Sequence, residues 1–502
     1  MRERDDLCVV LHSHMPYVEG FGTWPFGEEW LLEAMAACYL PLTALLERAG
    51  ERHGGPVATL GITPVLADQL SVPEVGERFL GFMRGTRVDC HKLDIAGLEE
   101  AGHREAADAL RASARDYEWA AAEFERRDRD VLGALAALQR AGTIELWTST
   151  ATHAVLPLLA TEQGAQLQLA AGIASHRSRF GAWTGGMWLP ECAYRPGLDE
   201  QLEAAGVRAF CVDQTPAADP LAQLEPCATP AGPVAVPIDW ETIALVWDEA
   251  GYPADPVYRD YHAPTMNGLR PFAIGGGAYD RERAFARARE HAREFVAHLV
   301  RRSAAYRAER GRPALIVCAL DAELLGHWWY EGLVWLEAVF EEAREAGLGL
   351  ATLPAAIERH PLVERDLVES SWGQDKNLRT WDSPAVAELV WSAREAELRL
   401  VGVLAGAGVN GRRAVAERAA RELLALQSSD WAFMATRRLA ADYPERRIRS
   451  HTAAFERAIT MLDGAVKDFR AMPGHSIEPF VRGLAPDMDL APLLAPTSPW
   501  GR

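Results

Sequence analysis

The chain lacks C-x-x-C spacing, a Lys/Arg block, a G-K-[ST] phosphate loop and any unbroken apolar run near the length of a membrane span. Each absence removes a class of function. Its seven cysteines (Cys8, Cys38, Cys90, Cys192, Cys211, Cys227, Cys318) are scattered and odd in number. That usage argues against a zinc ribbon or a disulfide framework and predicts reduced, structural thiols in a cytoplasmic protein. With no basic block and a net charge of −19, nucleic acid and anionic membrane surfaces are disfavoured as partners. The run Gly275-Gly-Gly277 fits neither G-K-[ST] nor G-x-G-x-x-G, so it is not a nucleotide loop. The opening residues pass from charge straight into an apolar run, without the h-region and cleavage site of a secretory signal.

What remains is a long, half-apolar chain of 502 residues with sixteen tryptophans. That length suits a large catalytic domain plus a smaller one. Short apolar runs recur and end in polar or turn residues: Leu7–Leu11, Val57–Leu60, Ile144–Trp147, Val207–Val212, Ala314–Leu320 and Leu348–Thr352. They read as buried parallel strands. Ala-, Arg- and Glu-rich helical stretches lie between them, such as Arg281–Arg310, stopped by Gly311, and Leu333–Ala346, stopped by Gly347. The alternation predicts an α/β barrel of six to eight strands with its active site at the C-terminal rim. Residues of about 74–142 break the rhythm as a helical insertion. From Leu362 onward no strand signal remains, and three amphipathic segments follow: Ser383–Gly406, Arg412–Gln427 and Pro444–Lys467. The expected domains are a barrel over 1–361, a helical domain over 362–475 and a Pro-rich tail over 476–502.

Two segments carry the chemistry. Trp188-Leu-Pro-Glu191-Cys-Ala-Tyr194-Arg-Pro-Gly sets one carboxylate among aromatic rings and prolines. Leu320-Asp321-Ala-Glu323-Leu-Leu-Gly-His327-Trp-Trp-Tyr-Glu331 sets others where a buried strand stops. Paired carboxylates in aromatic surroundings suit glycosidic-bond chemistry. The bland alternatives are a Glu191 paired with Arg195 and an Asp321 capping a turn. Glu323 and Glu331 compete with Asp321, which is preferred because it ends the strand. Cys192 reads as a packing residue, since no base adjoins it. His12-Ser-His14 puts two imidazoles on one side of a strand end. They suit sugar hydroxyls, or, with His153 and Asp321, the metal of an amidohydrolase-like barrel. Trp372 and Trp381 flank a polar loop and suit stacking on a polysaccharide or domain packing; Asp430 and Trp431 point to the same cleft, and Trp30 opens a helix.

These segments, with His12-Ser-His14-Met-Pro-Tyr17, Gly251-Tyr-Pro-Ala-Asp-Pro-Val-Tyr258-Arg, Ser370-Ser-Trp372-Gly and Gln427-Ser-Ser-Asp430-Trp431, resemble the ordered regions of glycoside hydrolase family 57. The resemblance spans nearly the whole chain and is nearest to the family's 1,4-α-glucan branching enzymes. It implies an incomplete (β/α)7 barrel with a helical insertion and a C-terminal helical domain. It also implies Glu191 as nucleophile, Asp321 as general acid/base, and His12, His14 and His153 around the attacked glucose. Trp30, Trp247, Trp372, Trp381, Asp430 and Trp431 match cleft lining. The substrate implied is an α-1,4-glucan such as amylose or glycogen, and the family needs no metal or other cofactor. Where the family's branching enzymes carry a tyrosine on a mobile shielding loop, the stretch 214–237 has none. The loop before Trp381 is short and lacks the Gly-Gly run of those enzymes. An α-amylase-type hydrolase and a 4-α-glucanotransferase are the alternatives within the same chemistry.

Overall fold

The computed structural model describes residues 4–216, 219–407, 409, 412–463, 481 and 483–495. Among these the strands are β1 (Asp6–Ser13), β2 (Ala58–Ile62), β3 (Ile144–Trp147), β4 (Gly186–Met187), β5 (Ala209–Val212), β6 (Cys227–Ala228), β7 (Val234–Pro237), β8 (Leu315–Asp321), β9 (Gly349–Leu350) and β10 (Val363–Glu364). Every residue of β1 is buried. A strand covered on both faces has no polar alternation, which is why its sequence reads as one apolar run.

β1 lies parallel between β2 and β8, and β3 extends the sheet beyond β2. β4, β5 and β7 form a second parallel run. A bridge from Thr148 to Met187 joins β3 to β4. The Asp239 N–H donates to Val317 O at 2.9 Å, which joins the end of β7 to β8. β6 runs antiparallel to β7 and carries β10, while β9 rests on β1. In register, His12 sits opposite Asp321 on one side and Gly61 on the other.

The structure corrects the sequence reading in four places. β10 is a strand beyond Leu362, where none was expected. β4 has only two residues, and a Cβ on Gly186 would lie 2.0 Å from Trp147 Nε1. Glycine is therefore required there, and a two-residue strand with a glycine emits no propensity signal. β7 is flanked by Pro233 and ends at Pro237, which masks it likewise. Finally, the continuous helical run Glu28–His53 is long and apolar enough by composition to cross a membrane, but 83% of its apolar window is buried inside the fold.

Helices fill 64–140 between β2 and β3, from Pro64–Leu70 to Val131–Arg140. Helix Arg281–Arg310 starts at Asp280, whose side chain accepts from Arg283 N–H, and stops at Gly311 with φ 68°. After β10 come Ala387–Ala407, Arg413–Leu426, Ser429–Arg437 and Tyr443–Leu462. Their apolar faces pack together around Leu400, Leu423, Trp431 and Phe455, with Leu167 and Val65 joining from the strand-bearing part. The end of the segment expected to reach Lys467, and residues 476–480, 482 and 496–502 of the Pro-rich stretch, lie outside the described residues.

Candidate active site

Glu191 has φ 62° and ψ 19°, and Cys192 follows at φ 49°. A left-handed backbone at a residue with a Cβ costs about 1–3 kcal/mol, so its surroundings must over-determine it. They do. Trp188 N–H donates to Thr148 O at 2.8 Å, and Trp372 N–H donates to Glu191 O at 2.9 Å. Tyr194 and Ser370 exchange a pair of backbone hydrogen bonds at 2.9 and 3.1 Å. The Trp188 ring stacks on His12 with centroids 4.7 Å apart. His153, at φ 60°, is a second such residue beside Glu191.

An indole donor holds the Glu191 carboxylate. Trp372 Nε1–H donates to Oε2 at 2.7 Å. His153 Nδ1 lies 3.5 Å from Oε1 and 2.8 Å from the Ser429 hydroxyl oxygen. Burial pushes the Glu191 pKa up to about 7, against the pull of Trp372, Ser429 and the His14 charge. Arg195 is not its partner: that guanidinium pairs with Glu369 at 2.7 Å. The Cys192 thiol is buried and pushed well above its ordinary range by burial, consistent with packing.

Asp321 ends β8. Burial, and then the charges of Glu323, Glu191 and Asp430, hold it well above the usual carboxylate range. Among the described residues no side chain donates to it. Glu323 has a different job. Its Oε1 accepts from the Tyr39 hydroxyl at 2.6 Å and from His14 N–H at 3.0 Å. Burial pushes Glu323 up to about 7, with Tyr39 and the His14 contacts opposing. Tyr39 closes a π-helical turn, Met35–Tyr39, inside the helical run 28–53. That turn abuts the loop after β8: Cys38 Sγ donates to Ala322 O at 3.0 Å. A Cβ on Gly326, at φ 97°, would lie 2.1 Å from Ala37 O. Glu331 accepts from Arg259 N–H at 3.2 Å and is fully buried, away from this cluster's hydrogen bonds.

The three histidines stack. His14 and His153 have centroids 4.1 Å apart, and His12 and His153 4.8 Å. His12 Nε2 and His153 Nε2 share a hydrogen bond of 2.9 Å. His14 bonds outward through both nitrogens, to Asp430 Oδ2 at 2.9 Å and Thr63 Oγ1 at 3.1 Å. Burial, with the neighbouring imidazoles, drives His12 and His153 well below the ordinary value. For His14, burial pulls downward but Asp430, Glu323 and Glu191 outweigh it and raise the pKa. Asp430 is raised by burial but held at about 2 overall by His14 and Ser428. Stacked rings hold their in-plane lone pairs side by side rather than converging on one ion. Among the described residues no group of three or more His, Cys, Asp or Glu is arranged to hold a metal.

The tryptophans divide. Trp372 reaches the carboxylate. Trp381 and Trp431, expected to line the cleft, are 2% and 1% exposed and present no ring face to a ligand. Trp431 Nε1–H donates to Ala425 O at 2.7 Å, and the Trp381 ring packs where a Cβ on Gly373 would lie, at 2.8 Å. Both therefore support the site from behind. Trp30 is half-buried against Phe26 and Tyr443. Trp247 is 43% exposed at the end of helix Trp240–Trp247. The sequence reading missed Tyr39, Thr63 and Ser429. Ser429 stands beside Asp430 in the Gln427–Trp431 motif, but nothing in the sequence points its hydroxyl at His153 Nδ1, 2.8 Å away.

Comparison with known proteins identifies the family. Residues 8–366 match the model of glycosyl hydrolase family 57, and residues 393–471 match that of the 1,4-alpha-glucan branching enzyme C-terminal region. A 1,4-alpha-glucan branching enzyme of Thermococcus kodakarensis is 34% identical over 92% of this chain and 74% of its own. A probable 1,4-alpha-glucan branching enzyme of Mycobacterium tuberculosis is 33% identical over 89% and 90%. The crystal structure of a family 57 branching enzyme from Pyrococcus horikoshii superposes with a TM-score of 0.89 at 30% identity, covering 99% of this chain and 98% of that one. An alpha-amylase from Thermotoga maritima superposes at 0.85 with 26% identity, covering 98% and 99%.

Proposed function

Because the chain belongs to glycosyl hydrolase family 57, we propose that it is a retaining 1,4-α-glucan branching enzyme with Glu191 as nucleophile and Asp321 as general acid/base. The observation that carries this reading is the pairing of two unlike carboxylate environments. Glu191 sits on a strained turn, and the Trp372 indole N–H on its carboxylate opposes the burial that lifts it to about 7. Asp321 has no side-chain donor among the described residues and is pushed toward the protonated form. Burial raises both, but only Glu191 has a side-chain donor that opposes the rise, and that difference assigns Asp321 as the acid and Glu191 as the nucleophile.

In the first step a Glu191 oxygen attacks C1 of an α-1,4-linked glucose while the Asp321 proton passes to the departing 4-oxygen. That breaks the glycosidic bond and leaves a β-glucosyl ester on Glu191. In the second step the Asp321 carboxylate takes the proton of a glucan 6-hydroxyl, whose oxygen attacks C1 and displaces Glu191. The product is an α-1,6 branch, with net retention at C1. Such chemistry needs the two carboxyl groups about 5–5.5 Å apart. No cofactor enters any step. His12, His14 and His153 line the attacked glucose in this reading, with Asp430, Trp372, Trp30 and Trp247 around it. The strands β1, β2, β3, β4, β5, β7 and β8 are read as an incomplete (β/α)7 barrel over 1–361, interrupted by helices at about 74–142. A helical domain over 362–475 and a tail over 476–502 follow. The free thiols are consistent with a cytoplasmic enzyme acting on amylose, glycogen or a related glucan.

A second reading, α-amylase-type hydrolysis, is favoured by one observation. The stretch 214–237 carries no tyrosine. Within it Asp219 and Glu225 are tied by salt bridges to Arg310 and Arg312. Incubation with amylose separates the two: α-1,6 linkages should form with few new reducing ends. Reducing ends without branches would make it a hydrolase. A Glu191→Gln protein as active as the parent would remove Glu191 from the mechanism.

A further inference from the structure

We propose that Arg447 is a positioning residue for glucan binding. Tied to Glu422 through the His451 ring, it seats the segment between β1 and helix Glu28–Ala34, and with it Trp30, against the helices that follow β10. The inference rests on the reading that Trp30 lines the glucan cleft.

Tyr443, Arg447 and His451 are spaced by four on helix Tyr443–Leu462 and so share one face, and all three are buried. Arg447 Nη2 lies 2.9 Å from His451 Nε2. His451 Nδ1 lies 2.7 Å from Glu422 Oε2, on helix Arg413–Leu426. A guanidinium has donors and no acceptor, so His451 Nε2 must be bare and accept. The ring hydrogen then sits on Nδ1 and is donated to Glu422. A doubly protonated ring would set two donors face to face, so this arrangement holds a neutral His451. The other oxygen of Glu422 accepts from Arg418 Nε at 2.7 Å. The row is therefore consistent from Arg418 to Arg447, and it allows one tautomer of His451.

Arg447 turns the rest of its guanidinium on aromatic groups. Nη1 donates to the Tyr443 hydroxyl at 2.8 Å. Its Cζ lies 3.5 Å from the centroid of the Phe21 ring and 4.8 Å from that of Trp431. Phe21 also meets the His451 ring, with centroids 5.1 Å apart. Cation–π contacts of this kind strengthen when the cation is shielded from water. Phe21 belongs to a segment, 14–27, that has neither helix nor strand. Side-chain contacts, rather than a backbone ladder, must therefore set its path. The Tyr443 ring, held through its hydroxyl, abuts Trp30 at 5.2 Å and Phe26 at 6.2 Å. One guanidinium thus grips the segment at Phe21 and, through Tyr443, at Phe26 and Trp30. The grip bears on the cleft wall rather than on either carboxylate. Its loss should weaken substrate and transition state alike, which raises KM and spares kcat.

The test measures kcat and KM on amylose, and deuterium uptake by the amides of residues 18–27, in the parent, Arg447→Met, His451→Leu and His451→Gln. The His451 tautomer of the parent is read by 15N NMR. Arg447→Met keeps the reach of the side chain but neither its donors nor its charge. It should raise KM about three- to tenfold while kcat changes by less than about twofold, with faster exchange over 18–27. His451→Leu should follow it. His451→Gln carries an amide that can accept from Arg447 and donate to Glu422, and should stay near the parent. The spectra should show His451 protonated on Nδ1. A parental KM in Arg447→Met overturns the proposal, as does a loss confined to kcat or a hydrogen on His451 Nε2. Should Arg447→Met fail to fold, the contrast between the two His451 variants decides together with the tautomer. Trp30→Ala tells the two failures apart: a parental KM there strikes the reading of Trp30, whereas a raised KM there beside a parental KM in Arg447→Met strikes Arg447 alone.

Discussion

Trp372 grips Glu191 twice, through its indole N–H on Oε2 at 2.7 Å and its backbone N–H on the Glu191 carbonyl at 2.9 Å. One residue therefore holds both the carboxylate and the strained peptide beneath it. The loop carrying Trp372 is itself fixed. Lys376 donates to the buried Asp213 at 2.9 Å and lies over the Trp240 ring. Gln214 Nε2 donates to Ser370 Oγ at 3.0 Å.

Trp372→Phe keeps the ring and the backbone bond but removes the indole donor. A hydrogen bond to a charged acceptor is worth about 1.5–3 kcal/mol, so kcat on amylose should fall roughly ten- to hundredfold. The folded state should persist, checked by thermal unfolding. An unchanged kcat would mean the indole serves packing alone.

The parts of the site that were legible in the sequence are those that follow a strand. His12 and Asp321 each sit where an apolar run stops, and neighbouring parallel strands bring those two ends side by side. β1 and β8 could be read because both their faces are buried. β4 could not, since it is two residues long and one of them must be glycine beneath Trp147. Tyr39 could not, because its aim depends on a single π-helical turn whose extra residue leaves no compositional trace. Ser429 depends on how a distant helix docks. Trp381 and Trp431 were misread because an indole beside polar residues gives no sign of which side it faces, and here both rings turn inward.

Glu323 touches neither oxygen of Glu191 but raises Asp321 by its charge. Glu323→Gln keeps an acceptor for the Tyr39 hydroxyl and His14 N–H while removing that charge. A like charge disfavours ionisation, so its removal lowers the Asp321 pKa. The general acid then loses its proton at lower pH, and the alkaline limb of kcat/KM should move down by roughly one unit. The acid limb should move far less. Measuring both limbs on amylose checks the assignment, because damage to the fold alone would lower the whole profile without displacing one side.

His14 and Asp430 join the end of β1 to the helix that carries Ser429, at 2.9 Å and with side-chain exposures of 13% and 15%. Asp430 falls from its ordinary 3.8 to about 2, so its contribution to stability is complete above the unfolded value and disappears as pH falls through about 2. His14 is raised above 6.5, so its contribution is complete below that value and disappears as pH rises through the folded one. The pair is therefore at full strength between about pH 4 and 6.5. Asp430→Asn retains an acceptor but no charge, and should cost on the order of 2 kcal/mol inside that window. The gap in Tm between parent and variant should narrow on moving to alkaline pH, where His14 of the parent is neutral as well. Thermal unfolding at several pH values would show this, and a gap that stays constant into the alkaline range would mean that His14 carries no charge in the folded protein.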